Sequence, residues 1–197
     1  MKHKISKIWR EISGMKKLFL VGIVLLSMGM TCGAFAKSLD DYTYEITDLN
    51  FQKKYQAALN LANVAISGYP NSAELYFLRG MCYDDLNNKK AALADFDKAI
   101  SLNSKYDDAY LYRGMVKLDL NSPQSAYVDF TTCIRLNPEN GNCYVGRGTV
   151  RATLGDLGGA TKDMEYGLVL IEKDAEKLHK ETDELIKEAD KLMEELK

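Results

Sequence analysis

Two adjacent pairs of acids, Asp84-Asp85 and Asp107-Asp108, cysteines at 82, 133 and 143, and His179 are the groups from which the sequence beyond residue 36 would have to build a reactive centre. Each falls short. General acid–base work needs carboxylates held in different environments, whereas neighbouring aspartates at helix ends or on exposed faces are solvated. Nucleophilic catalysis wants a base beside a serine or cysteine, and His179 stands in the charged run "EKDAEKLHKETDE" with neither next to it. Cysteines and histidine lack the CxxC or Cys/His spacing of a zinc site, so no metal and no cofactor is expected. Gly146-Arg147-Gly148 has the look of a nucleotide loop, but no strand precedes it. The chain is expected not to be an enzyme, and no small-molecule substrate is evident.

One set of charged groups does recur. Arg79, Arg113 and Arg147 are spaced 34 residues apart, inside "YFLRGM", "YLYRGM" and "YVGRGT". Asp95, Asp129 and Asp163 recur with the same period, one for each arginine. If Gly80, Gly114 and Gly148 are set as position 8 of a 34-residue unit, further columns align. Position 4 holds Tyr76, Tyr110 and Tyr144; position 20 holds Ala92, Ala126 and Ala160; position 24 holds Phe96, Phe130 and Met164. Position 27 holds Ala99, Cys133 and Gly167, and position 28 holds Ile100, Ile134 and Leu168. One unit earlier lies a weaker copy, with Tyr42, Ala58, Ala62, Ala65, Ile66 and Pro70.

These columns describe a helical hairpin. Positions 4, 8 and 11 share one face of a first helix, and 24, 27 and 28 share one face of a second. Glycine at 8 and alanine at 20 are small enough to let the two helices approach closely. Ser122-Pro123 suits a helix start, serine as the cap and proline in the first turn. A lone hairpin cannot bury its apolar face, so the copies are expected to stack. Positions 7 and 23 lie equally far from the hairpin turn. Three interhelical ion pairs are therefore predicted, Arg79 with Asp95, Arg113 with Asp129 and Arg147 with Asp163, structural rather than catalytic.

The pattern resembles the tetratricopeptide repeat, a 34-residue unit with an aromatic, a Leu-Gly, a Tyr, an Ala, a second aromatic and a Pro at fixed offsets. The resemblance covers about 39–171; Ser104 and Glu172 stand where the unit has proline. It implies an all-α fold, a right-handed α-solenoid of about four helix-turn-helix repeats (39–72, 73–106, 107–140 and 141–171) within a domain over 37–171. It also implies a protein or peptide partner on a concave face lined by the first helices, through positions 2, 5, 9 and their neighbours. Tyr44, Phe77, Met81, Leu111, Tyr112 and Met115 are the expected anchors of that groove, outside the hairpin core, rimmed by Glu74, Asp84 and Asp108. An apolar or amphipathic segment with some basic character is the expected ligand. The carboxylate clamp of some members, which needs Lys, Asn and Arg on the first helices, does not carry over: Phe77, Met81, Leu111 and Met115 occupy those places.

The ends of the chain are different in character. Residues 1–36 hold six Lys/Arg and one Glu, which leaves 20 basic and 27 acidic residues, a balance of −7, in the rest. Such an acidic remainder argues against nucleic acid as a partner. Two lysines, an apolar run from Leu18 to about Thr31 and the small residues of Ala34-Phe35-Ala36 form a signal peptide with cleavage expected after Ala36; Met15 is an equally good start. The alternative is an uncleaved inner-membrane anchor, although the run is short for the roughly 20 residues of a spanning helix. A lipid on Cys32 is a third reading, poorly served by the Gly29-Met30-Thr31 before it. Export places the protein in the periplasm or at the outer membrane, where Cys133 and Cys143, on either side of the turn "NPEN", are either bridged or simply small residues at helix contacts. After Gly167 no glycine or proline occurs, so the last helix is expected to run from about Leu157 to about Glu195. Within its charged extension, 172–197, Ala175, Leu178, Thr182, Leu185, Ala189, Leu192 and Leu196 continue from Ile171 in steps of four and three, a heptad seam. That seam is either a cap for the end of the solenoid or a handle for a coiled-coil partner or a second copy. A second function follows from it: an accessory subunit of an envelope or secretion complex.

Overall fold

The computed structural model describes the backbone of residues 37–195 and the side chains of 37–187. The expected signal peptide, 1–36, lies outside the described residues. Eight helices follow one another without a strand among the described residues: α1 Leu39–Phe51, α2 Tyr55–Gly68, α3 Ala73–Asp85, α4 Lys89–Leu102, α5 Asp107–Asp119, α6 Pro123–Leu136, α7 Gly141–Thr153 and α8 Leu157–Glu195. Each consecutive pair is a hairpin, and each hairpin packs on the next. This is the all-α solenoid expected from the 34-residue period, with a 39-residue last helix.

Every turn within a hairpin solves the same problem in the same way. Lys53, Asn87, Asn121 and Gly155, all at position 15, have positive φ, a left-handed step that asparagine and glycine take most readily. Asn88 then caps α4 by accepting a hydrogen bond from the Ala91 amide, and Ser72 caps α3 by accepting one from Leu75. Ser122 stands at the cap position of α6, but its hydroxyl makes no capping bond; Pro123 at the first turn is what fixes that start. The turn that lacks its proline is closed by Asn103, whose side chain accepts from the Lys105 amide, as Asn137 accepts from Glu139 beside Pro138.

The core is built from the repeat columns. Ala92, Phe96 and Ala99 of α4, and Ala126, Phe130 and Cys133 of α6, are fully buried. The glycines at position 8 make room chiefly for the ring at position 24: a Cβ on Gly80 would lie 2.7 Å from Phe96, and one on Gly114 3.0 Å from Phe130. In the last hairpin position 20 takes part as well, where a Cβ on Gly148 would meet the Met164 side chain and the Ala160 carbonyl. First helices touch one another from repeat to repeat (α1 with α3, α3 with α5, α5 with α7), whereas the second helices do not. Rows that close on one side and splay on the other must curve, with the first helices on the inside.

Candidate partner-binding face

The recurrent arginines come first, because they hold the hairpins that shape this face. Arg79 donates from Nε and Nη2 to the two carboxylate oxygens of Asp95, at 2.7 Å each. Arg113 does the same to Asp129 at 3.0 and 2.6 Å, and Arg147 to Asp163 at 2.7 Å twice. The three aspartates are almost completely buried. Hydrogen bonding to Asp95 and to Asp163 raises the pKa of Arg79 and Arg147 above the ordinary value. For Arg113 burial works against the charge, but the bonds to Asp129 and Asp97 outweigh it and raise the pKa.

The same arginines reach further than the sequence reading went. The third guanidinium nitrogen, Nη1, of Arg79 donates to Asn63 at 2.9 Å and that of Arg113 to Asp97 at 2.6 Å, both on the second helix of the preceding repeat. Each of these arginines thus ties two repeats together. Position 25, which supplies those partners, reads Asn63, Asp97, Thr131, a polar column that gave the available signal. The tyrosine of each motif lies one turn before its arginine, with ring centres 5.4 to 5.6 Å from the guanidinium carbon, a cation–π contact. At position 11, Lys117 adds a second cation to Asp129 at 2.7 Å, and Arg151 one to Asp163 at 2.9 Å.

The six expected groove anchors divide. Tyr44 is 76% exposed and Met115 48%, and Met81 and Tyr112 are half-buried, all on the inner helices. Phe77 and Leu111 are core residues, contrary to expectation: they are 7% and 6% exposed. Phe77 packs against the rings of Phe96, Tyr106 and Tyr112, the last from the next repeat and Tyr106 from the turn that leads into it. The reason is angular. At about 100° per residue, position 5 lies about 60° round the helix from the position-8 glycine, and the next hairpin covers that sector. Positions 9, 2, 13 and 6, at roughly 100 to 160°, stay open, with Leu78 the buried exception.

Those four open positions define the face. Tyr44, Phe51, Met81, Tyr112 and Met115 supply its apolar surface, and Phe51, 88% exposed, was missed because position 13 was not among the groove positions considered. Asp40, Glu74, Asp85, Asp108 and Asp119 supply its charge, and no lysine or arginine stands at any of the four positions in any repeat. Burial and the neighbouring Asp84 raise the pKa of Asp85; burial and Asp107 raise that of Asp108. Lys89, from the start of α4, bridges Asp84 and Asp119 at 2.7 and 2.6 Å.

A cavity of about 410 Å³ opens on this face between α5 and α7. It exists because the repeats differ at position 6. Tyr112 lies over Phe77 and Phe96, with ring centres 5.2 and 6.2 Å away, whereas the next repeat has Gly146 there, with the Phe130 ring directly beneath. At the same seam Cys133 of α6 and Cys143 of α7 form a disulfide, Cα atoms 6.0 Å apart. Cys82 is a buried thiol donating to Asn50, its pKa pushed up by burial to about 11, and is inert. Among the described residues no cluster of His, Cys, Asp and Glu is placed to hold a metal, and no helix is long and apolar enough to cross a membrane.

The class of protein is thus set by stacked helical hairpins with an open inner face. Residues 73–106 match the model of the tetratricopeptide repeat, one unit of the series. The fold is shared with solved structures of low sequence identity. A crystal structure of MamA is 21% identical with a TM-score of 0.63, over 79% of this chain and 97% of that one. A tetratricopeptide repeat protein from Parabacteroides merdae is 19% identical with a TM-score of 0.61, over 81% and 67%. The first repeat domain of Spaghetti (RPAP3), bound to an HSP90 peptide, is 22% identical with a TM-score of 0.57, over 59% and 93%. No curated protein matches the chain in sequence.

Proposed function

We propose that this chain is an exported scaffold that holds a segment of a partner protein along the inner face of its solenoid, binding rather than transforming it. The observation that carries this reading is the set of apolar side chains left open there, Tyr44, Phe51 and Met115 with half-buried Met81 and Tyr112, where a stable fold would gain by covering them. A chain of the same fold holds the peptide SRMEEVD. The acidic face described above repels such a sequence, so that ligand does not carry over. The charged, apolar segment 1–36 and a disulfide beyond it support export to an oxidising compartment, in the periplasm or at the outer membrane. The test is site-specific photocrosslinking in the source cells. Probes at Met81 and Met115 should give a discrete adduct, and probes at Val64 and Val128, exposed on the outer helices, should not. Equal labelling from both sets would refute the inner face as the binding surface.

A second reading rests on α8. Leu178 and Leu185 are 65 and 66% exposed along the heptad seam, with Ile186 beside them at 54%, an apolar stripe that the repeats do not cover. A second copy of the chain is its proposed occupant, by a coiled coil of two α8 helices. Sedimentation of the full chain at rising concentration decides it: a monomer throughout refutes the reading.

A further inference from the structure

The cavity between α5 and α7 narrows the chemistry of the partner. Its open walls are Tyr112 and Met115 on one side and Val145 and Thr149 on the other, and Gly146 leaves it deep enough to be backed by Phe130. At about 410 Å³ it falls in the size range of sites that enclose a ligand group, roughly 300 to 1,000 Å³. The lining is apolar except for Asn142 and threonine at one side and Asp119 at the rim.

Two of the acids near it stand where stability disfavours them. Asp85 and Asp119 are the last residues of α3 and α5, the ends at which the helix dipole repels a negative charge. Asp85 lies beside Asp84, and Asp108 beside Asp107. Their field is felt at the cavity wall: burial first, then Asp108, Asp85 and Asp84, pushes the Tyr112 phenol above its ordinary pKa. Lys89 is the cation that reaches this group, and it is shared between Asp84 and Asp119. A fold that keeps crowded acids at unfavourable helix ends, around an apolar opening, is complementary to a ligand that brings positive charge.

We propose that this cavity receives one aromatic or branched aliphatic side chain of a partner segment, and that lysine or arginine residues flanking that side chain are held by Asp85, Asp108 and Asp119. This rests on the inner face being the binding surface, and supplies the chemistry of what binds.

The test uses the full chain and three fluorescein-labelled synthetic peptides of ~12 residues, read by fluorescence anisotropy at two salt concentrations. One peptide carries lysines around a central phenylalanine in a serine background, the second glutamate in place of lysine, and the third alanine in place of phenylalanine. The first should bind at least about tenfold more tightly than either other, and less tightly at high salt. Thr149→Phe, which fills the opening from its wall, should weaken it at least about tenfold, and Asp85→Asn with Asp119→Asn several-fold, with a flatter salt dependence. Val145→Phe is the second filling variant, should Thr149→Phe not retain the helical circular dichroism of the parent. Equal binding of the glutamate peptide overturns the charge assignment. Unchanged binding to a folded filling variant, or no saturable binding of any peptide up to about 1 mM, overturns the proposal as a whole. In either case adducts from Met81 and Met115 in cells, absent from Val64 and Val128, would still support the inner face, so the two readings fail separately.

Discussion

Asp129 is where the hairpin should be most sensitive to a change of one atom. The residue is 1% exposed, and its carboxylate is held by Arg113 through two bonds of 2.6 and 3.0 Å and by Lys117 at 2.7 Å. Asp129→Asn keeps the shape and removes the charge, so one amide oxygen faces two cations and an amide nitrogen is pressed against a donor. Arg113 keeps Asp97 as an exposed partner, which offsets part of the loss. Breaking a buried pair on one side typically costs about 3–5 kcal/mol. In a domain of this size each kcal/mol shifts the midpoint by about 2–4 °C, so Tm should fall by roughly 6–20 °C. Asp95→Asn strands one cation rather than two, since Tyr83 stands at position 11 there in place of a lysine, but Arg79 then keeps only the neutral Asn63, so its cost should be of similar size. The assay is thermal unfolding followed by circular dichroism at 222 nm, with urea titration as a second measure. A loss below about 1 kcal/mol for Asp129→Asn, the scale of an exposed pair, would refute the view that this buried pair locks the hairpin.

Three further outcomes follow from the packing. Phe77→Ala should destabilise by about 3–5 kcal/mol and Leu111→Ala by about 2–5 kcal/mol, because both are core residues; urea titration with an unchanged midpoint would return them to the groove. Asp85→Asn should raise the midpoint at pH 7. The folded pKa of Asp85 is raised, so its charged form disfavours folding above that pKa and the effect vanishes where both states are protonated; the gain should therefore fade toward about pH 3, seen by repeating the melts across pH. Reduction of the Cys133–Cys143 bridge, which closes a separation of 10 residues, should cost about 3 kcal/mol by loop entropy, measured as a Tm difference with and without a phosphine reductant.

The fold was legible in the sequence because a repeat states its rules several times. One Tyr, Arg and Gly is an accident; three in one register with an Asp column to match define two helices and the side on which they meet. The inner face was less legible for the same reason. Position 5 and position 9 recur equally well, and the period carries no information on how far the next hairpin leans over the first, so Phe77 looked as open as Met81. The cavity was hidden for the opposite reason: it comes from a break in the pattern, Gly146 where the repeat before has Tyr112, and column averaging discards such breaks. The third contact of Arg79 and Arg113 was within reach, since position 25 is polar in every repeat, but it joins units that a single-hairpin view treats apart.

The bridge between α6 and α7 has a consequence beyond stability. Asn63 and Asp97 tie the earlier seams through Arg79 and Arg113, whereas Arg147 hydrogen-bonds only Asp163 among the described residues, with Thr131 at the equivalent place. The seam without that tie from position 25 has a long Arg151–Tyr127 contact of 3.5 Å and the covalent bridge instead, and it is also the seam that contains the cavity. Without the bridge the last hairpin would be less constrained against its neighbour, and a ligand entering the opening would have to order it at the cost of its own affinity. The bridge restricts this freedom in advance, so the proposed ligand would meet an opening already set. In the proposed oxidising compartment, the state of this bond would set how tightly the opening holds a ligand, although the bond is no part of its lining.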